Sequence, residues 1–211
     1  YLCLFADRTD FKSVCRLRSR AERQMAAQRY AINLLIINFN INEKMEMTIR
    51  QAEQKDFSDI LRIYFRAREY MTAHGNPTQW GKSFPPENLI KDDIRKKRNY
   101  VVEADGGVHG VFAFIPGDDP TYARIEGAWM SDAPYGTIHR IASDGTVKGV
   151  FAAAIEFCKA RISHIRIDTH ADNKTMRCAI EKAGFEECGI IRVADGTPRI
   201  AYELIAEKDM R

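Results

Sequence analysis

The stretch Ile138-His139-Arg140-Ile141-Ala142-Ser143-Asp144-Gly145-Thr146-Val147-Lys148-Gly149-Val150 reads as a strand, a short polar loop and the start of a helix. Free N–H groups at that helix N-terminus, together with its dipole, make an anion site of the size a pyrophosphate needs, and Lys148 adds a positive charge at its mouth. An ordinary strand–loop–helix junction looks the same, and the Gly-x-Gly-x-x-Gly of a dinucleotide fold is absent after the first strand. His139, in the strand entering this loop, is the best-placed side chain for general-base work; Glu126 and His170 are lesser candidates. His74, His109 and His164 fall at element ends and read as solvated surface. No Cys or Ser is paired with a base in the sequence. The five cysteines (Cys3, Cys15, Cys158, Cys178, Cys188) are odd in number and lack metal-ligand spacing, which argues against a disulfide framework or a zinc site and fits a reducing, cytoplasmic compartment.

The elements that must position these residues are readable from Met47 onward. Thr48 to Ala52 alternates as a short strand, and Lys55 or Asp56 opens a helix with Phe57, Ile60, Leu61, Tyr64, Phe65 and Arg68 at helical spacing, closing near His74-Gly75. Residues 76–85 form a loop rich in breakers, and a charged helix runs from Pro86-Glu87 to about Arg98. Strands at Tyr100–Ala104 and Val108–Pro116 flank an Asp105-Gly106-Gly107 turn, and Arg124–Met130 with Gly136–Ser143 reads as the next pair. A buried helix follows at Gly149–Arg161, then a strand at Ile165–Thr169 and a helix at Asn173–Ala183 capped by Gly184. Strands at Phe185–Ala194 and Arg199–Leu204 close the domain. The pattern predicts an α/β (α+β) domain on a largely antiparallel sheet, without internal repeats.

The chain has 211 residues with a net charge of +3, and its 45% apolar content is that of a globular protein. Residues 1–46 hold eight basic and five acidic residues, so of the chain's 32 basic and 29 acidic residues the remainder carries 24 of each. A neutral domain lacks the basic surplus of a nucleic-acid binder, so no nucleic-acid partner is expected. No apolar run approaches the roughly 20 residues of a membrane span, so no membrane partner is expected. Residues 1–46 read as a non-domain leader, upstream-translated or disordered, with Met47 or Met45 as the start of the working protein; an extra helix near 15–36 and a targeting peptide are the alternatives.

Residues 47–205 resemble the GNAT superfamily of N-acetyltransferases. The most specific stretch is Ile165-Arg166-Ile167-Asp168-Thr169-His170-Ala171-Asp172-Asn173 followed by Glu181-Lys182-Ala183-Gly184-Phe185, similar to the family's strand, Asn-initiated helix and EKxGF ending. Ile138 to Gly149 resembles the strand and pyrophosphate loop that precede its CoA-binding helix. The resemblance implies a mixed, largely antiparallel sheet of six to seven strands flanked by about four helices over residues 47–211. It implies transfer of the acetyl group of acetyl-CoA to a small-molecule or peptide amine by direct attack in a ternary complex, with no metal; a homodimer is compatible with it. Ile141, Ala142 and Ser143 would offer main-chain groups to pantetheine, Asp144, Gly145, Thr146, Val147, Lys148, Gly149 and Val150 would hold the pyrophosphate, and Asn173 would cap its helix and bond the CoA arm. His139 occupies a position where some members carry a base. The acceptor would meet Trp80, Tyr122, Trp129 and Tyr135, with Asn76 and Gln79 nearby, and Asp118-Asp119 is either a lure for a cationic amine or a solvated turn. Two positions depart from the pattern: Val147 stands where the loop's first glycine belongs, and Ile180 where a proton-donating Tyr often precedes the EK pair, with Cys178 read as core. A non-catalytic acyl-CoA-binding module and an acetyltransferase acting on a protein or tRNA stay open.

Overall fold

The computed structural model describes residues 46–206 together with Met25, Gln28 and Arg29, which are helical and exposed. The leader reading therefore falls largely outside the described residues. The domain that begins at Met47 has the order β1 (Thr48–Gln51), α1 (Phe57–Ala73), α2 (Glu87–Arg95), β2 (Asn99–Ala104), β3 (Gly107–Pro116), β4 (Glu126–Gly127), β5 (Gly136–Ser143), α3 (Val150–Lys159), β6 (His164–Thr169), α4 (Lys174–Lys182), β7 (Glu186–Arg192) and β8 (Pro198–Ile205). The strands join in one sheet ordered β1-β2-β3-β5-β6-β8-β7-β4, and only the β5–β6 pair is parallel.

Strand alternation divides the core between the two faces of this sheet. On one face Phe112, Ile138, Ile165, Ile167 and Tyr202 pack with Val150, Ala154 and Ile155 of α3 and Ile180 of α4. On the other, Val101, Val111 and Ala142 meet Ile60, Ile63 and Tyr64 of α1 and Ile90 of α2, while Ala201 and Ile191 lie under Tyr122 and Tyr135. Helix α1 turns Ile63 inward and leaves Phe65 exposed, one step from the predicted stripe. Helix α2 stops at Arg95, earlier than expected, because Lys97 takes a left-handed φ of 55° and the Arg98 side chain and N–H both turn back onto Asp93.

The predicted strand at 124–130 is not formed. Only Glu126 and Gly127 are extended, and they pair with β7 at the far edge rather than with β5; with this short strand the sheet has eight strands, against the six to seven the resemblance implied. The reason is a contact between residues distant in sequence: Gly127 (φ 141°) faces Gly189 (φ 145°) so closely that a Cβ on Gly127 would stand 2.2 Å from the Cys188 carbonyl oxygen. Beyond this point the chain leaves the sheet, with the Trp129 ring stacked on Tyr122.

Candidate active site

The two central parallel strands are joined for only three residues. Pairing runs Gly136↔Ile165, Thr137↔Arg166 and Ile138↔Ile167, after which β5 continues to Ser143 and β6 to Thr169 without a ladder between them. The β6-facing edge of β5 from His139 to Ser143 is thus a row of peptide groups without a strand partner. A cleft of about 1040 Å³ opens along this seam, lined by Ile138, His139, Arg140, Ile141, Ala142, Ser143, Asp144 and Gly145 on one wall and by Ile167, Asp168, Thr169 and Asn173 on the other. Such a volume lies at the upper end for small-molecule sites.

A bulge holds β5 in this posture. Val111 pairs with Ala142 and Ala113 with His139, so Arg140 and Ile141 together oppose Phe112, and Arg140 takes φ 54°. Bulges re-aim side chains and end pairing next to active sites. Here the buried Tyr64 hydroxyl donates to the Arg140 carbonyl at 3.0 Å, and Arg140 Nη2 lies 2.6 Å from Asp93 Oδ2, a carboxylate that also takes Arg98 Nε at 2.6 Å. Burial raises the Tyr64 pKa far above the usual phenol value, so this hydroxyl stays a donor.

His139 lies on the cleft wall with its Nε2 bonded to Asp119 Oδ2 at 2.8 Å. A carboxylate partner fixes the ring proton on Nε2 and leaves Nδ1 to accept. Burial raises the pKa of Asp119, but the bond from His139 and the Thr121 N–H at 2.8 Å more than offset it, holding the carboxyl down at about 2. Asp119 is therefore no solvated turn residue; its role depends on a partner 20 positions away, which no local pattern reveals.

Other expected residues divide clearly. Trp80 lines the cleft and meets Tyr64 edge-on. Tyr122, Trp129 and Tyr135 do not line it. The Tyr122 hydroxyl donates to Asp168 Oδ1 at 2.6 Å, the Tyr135 hydroxyl accepts from the Asp119 N–H at 3.0 Å, and Trp129 and Tyr135 sandwich the Arg166 guanidinium, each ring 3.9 Å away. These aromatics support the site from behind, because their rings fill the space between the sheet and the Asp119–Tyr122 turn. Glu126 is exposed at the β4 edge and held by Arg192 at 2.9 Å, away from the cleft lining, and His170 likewise lies outside that lining, 3.5 Å from Asp172. His164 is buried rather than solvated, bonded to Glu203 on one nitrogen and to the Ala133 carbonyl on the other. His109 is also engaged, within bonding distance of Thr146 Oγ1 and Asp144.

The loop before α3 has its left-handed turns at Gly145 (φ 79°) and Gly149 (φ 89°), so no glycine is needed between them. Val147 is instead a plug, buried in the core with Val150, while Thr146, Lys148 and Gly149 are exposed beyond the cleft lining. Asp144 turns inward, accepting from Arg62 Nη1 at 2.9 Å and from the Thr146 N–H at 3.0 Å. Burial raises its pKa, and the Thr146 and Arg62 bonds more than offset this to hold it at about 2. The carboxylate thus braces the loop from below and takes the Thr146 N–H, while the N–H groups of Val147 to Val150 have no hydrogen-bond partner among the described residues and keep the character of an anion cradle. Opposite, Asn173 caps α4 by accepting from the Met176 N–H at 3.1 Å and donates to Gln79 Oε1 at 2.9 Å; Gln79 also accepts from Asn76 and reaches Thr169 Oγ1. Gln79, expected near the acceptor, instead bridges Asn76, Thr169 and Asn173, and Arg140 is a site residue whose importance only the fold exposes.

Comparison with solved structures gives this geometry its family. A GNAT-family acetyltransferase from Streptococcus agalactiae is 32% identical, with a TM-score of 0.71 over 77% of this chain and 96% of that one. The chain belongs to the GNAT family of acetyltransferases. A putative acetyltransferase from Staphylococcus aureus (24% identity, TM-score 0.57, 76% of this chain and 99% of that one) shares the fold. So does the ribosomal-protein-S18-alanine N-acetyltransferase of Escherichia coli (18% identity, TM-score 0.51, 79% and 98%). No protein-family model matches the sequence, and no curated protein matches it. As a GNAT protein the chain is an N-acetyltransferase, with the α/β sheet expected for that family. Ile180, at the position of the frequent Tyr, is wholly buried in the core and cannot supply a proton; Cys178, expected in the core, is exposed on α4. Among the described residues no helix is long and apolar enough to cross a membrane.

Proposed function

We propose that this GNAT protein transfers the acetyl group of acetyl-CoA directly to an amine held in the same cleft, with His139 as general base and Asp119 as its positioning partner. The observation that carries the reading is the unpaired β5 edge from His139 to Ser143, which begins at the one cleft imidazole bonded to a carboxylate and ends at the anion cradle. The peptide groups of Ile141 to Ser143 would hold the pantetheine arm as an added strand would, and the N–H groups from Val147 to Val150 would hold the pyrophosphate, with Lys148 adjacent. Asn173 would bond the arm after exchanging its Gln79 partner. Acetyl-CoA supplies an activated acyl group; the protein aligns the amine with it so that a C–N bond replaces the C–S bond, the amine proton goes to His139 Nδ1, and the CoA thiolate leaves without a side-chain acid at Ile180, to be protonated by water. Holding both reactants in one site is itself a large part of such a rate enhancement.

A covalent acyl-cysteine route has no support among the described residues. Burial pushes the Cys158 thiol up to about 12 and the Cys188 thiol up to about 11, and neither lines the cleft. A reducing, cytoplasmic compartment fits these free thiols. The test is a thermal-shift titration of the full chain with acetyl-CoA, CoA and NAD. A ligand at about 100 times its dissociation constant adds about 2.7 kcal/mol, so both CoA species should raise the melting temperature and NAD should not. Absence of a shift with acetyl-CoA sinks the proposal. Binding without thiol release on any amine would favour a non-catalytic acyl-CoA module.

A further inference from the structure

Arg199 sits on the cleft wall at the start of β8 and is only 8% exposed, yet no carboxylate among the described residues lies within ion-pair distance of it. Its one side-chain hydrogen bond among those residues runs from Nη1 to the carbonyl of its own neighbour Pro198, at 3.1 Å. A guanidinium so deeply buried is nearly always paired, because leaving the charge without a partner costs several kcal/mol.

The carboxylates that line the same cleft do not pair with it. Asp119 holds His139, Asp144 holds Arg62, Asp168 accepts from the Tyr122 hydroxyl, and Asp195, whose pKa is lowered chiefly by Thr197 and a little by the Arg199 charge, accepts from the Thr197 N–H at 2.9 Å and stays beyond ion-pair distance of Arg199. The other cleft guanidinium groups near the bulge are both paired, Arg140 with Asp93 and Arg98 with Asp92 and Asp93. Among the described residues nothing accepts from Nε or Nη2 of Arg199, and both donors are left for a ligand.

The position of Arg199 says which substrate meets it. Side chains on alternate strand residues share a face, so Arg199, Ala201 and Glu203 lie opposite the face that carries Ile200 and Tyr202. The Ile200 face packs against α3 and α4, beside the proposed CoA arm, whereas the Arg199 face is that of Asp168, Tyr122 and the His139–Asp119 pair. Asp168 lies directly across from Ala201, which makes Arg199 its diagonal neighbour, about 7–8 Å away between backbones. An ammonium near His139 and Asp168 and an anion at Arg199 are within the span of one small molecule.

We infer that the acceptor is a carboxylate-bearing amine, an amino-acid-like compound whose carboxylate takes the two free donor positions of Arg199. This rests on the acetyltransferase reading above. One monovalent cation with Asp168 on the diagonal and Asp195 close enough to feel its charge suits a monoanion better than a phosphate dianion. A guanidinium matches a carboxylate with two parallel N–H···O bonds, a geometry the point charge of a lysine does not reproduce.

The experiment follows thiol release from acetyl-CoA by the full chain against matched amines: free amino acids, their carboxamides, the corresponding decarboxylated amines and aminoalkyl phosphates. The expected result is a kcat/KM for the best amino acid at least roughly tenfold above its amide and its decarboxylated form. Arg199→Ala should raise the acceptor KM by roughly ten- to a hundredfold, as loss of hydrogen bonds to a charged group does, with kcat and the KM for acetyl-CoA little changed. Arg199→Lys should recover part of that loss. The thermal shift with acetyl-CoA serves as the folding control for both variants, and the wild-type comparison of acid with amide holds even if Arg199→Ala does not fold. Equal or better turnover of amides, decarboxylated amines or aminoalkyl phosphates overturns the inference, as does an Arg199→Ala defect confined to acetyl-CoA. A chain that acetyl-CoA does not stabilise fails at the earlier step, the acetyltransferase reading itself.

Discussion

His139 and Asp119 form the chemical unit of the cleft, and each should fail in its own way. His139→Ala removes the accepting nitrogen and should lower kcat by about a hundredfold, while the thermal shift with acetyl-CoA persists. Asp119→Asn keeps the shape but replaces the carboxylate that orients the ring, so kcat should drop at least about tenfold with the KM for acetyl-CoA unchanged. Equal losses of cofactor binding in either variant would assign the pair a structural role. The imidazole was legible in the sequence because its strand leads into a recognisable loop; Asp119 was not, since a carboxylate in a turn before Pro120 looks the same whether or not a partner folds over it. The aromatics mislead in the opposite sense. Tyr122, Trp129 and Tyr135 sit between regular elements and read as acceptor contacts, yet a ring stacked on another ring or on Arg166 belongs to the core, and stacking leaves no local trace.

At the level of elements, the sheet seam depends on what anchors the β5 bulge. Asp93 ties α2 to both Arg98 and Arg140, and it is almost completely buried. Asp93→Asn removes the charge both guanidinium groups answer and should cost about 3 kcal/mol in a urea unfolding titration, with weaker acetyl-CoA binding as the bulge relaxes. A variant of unchanged stability would show that Tyr64 suffices. Gly149, at φ 89° directly before α3, is the second mechanical point: Gly149→Ala forces a side chain into a left-handed backbone, and its Cβ would also sit 3.3 Å from Met47 Cε. The expected loss is about 1–2 kcal/mol, together with a lower affinity for CoA than for a CoA fragment lacking the pyrophosphate-bearing half. Long periodic elements such as α1, α3 and the β2–β3 hairpin were readable because period and turn chemistry agree. The bulge and the two-residue β4 were not, since the first depends on register against β3 and the second on two glycines meeting from distant parts of the chain.

For the whole molecule, acid should be the weak direction. Asp119 and Asp144 are held at about 2, below the ordinary carboxylate range, with Asp56 also lowered, chiefly by its bond to Arg50. A carboxyl whose folded pKa lies below its unfolded one contributes stability above the unfolded value and loses it as pH falls toward the folded value. The melting temperature should therefore decline between roughly pH 4 and pH 2, and Asp119→Asn should flatten part of that decline. An identical slope in the variant would contradict the assignment of Asp119. The neutral charge balance of residues 47–211 predicts in addition that acceptor binding, apart from the Arg199 contact, changes little with salt.

The open seam between β5 and β6 has one more implication, and it concerns descent. A ligand gripped through peptide groups places almost no demand on which side chains stand along Ile141 to Ser143, so mutation can rewrite those letters without disturbing the grip. What selection must preserve is the gap itself: the kink at Arg140, the hydroxyl of Tyr64 beneath it and the carboxylate of Asp93 that pins it open. Distant kin of this domain should accordingly keep the path of the backbone long after the alphabet around the cleft has drifted, and the residues that drift least should be those that hold two strands apart.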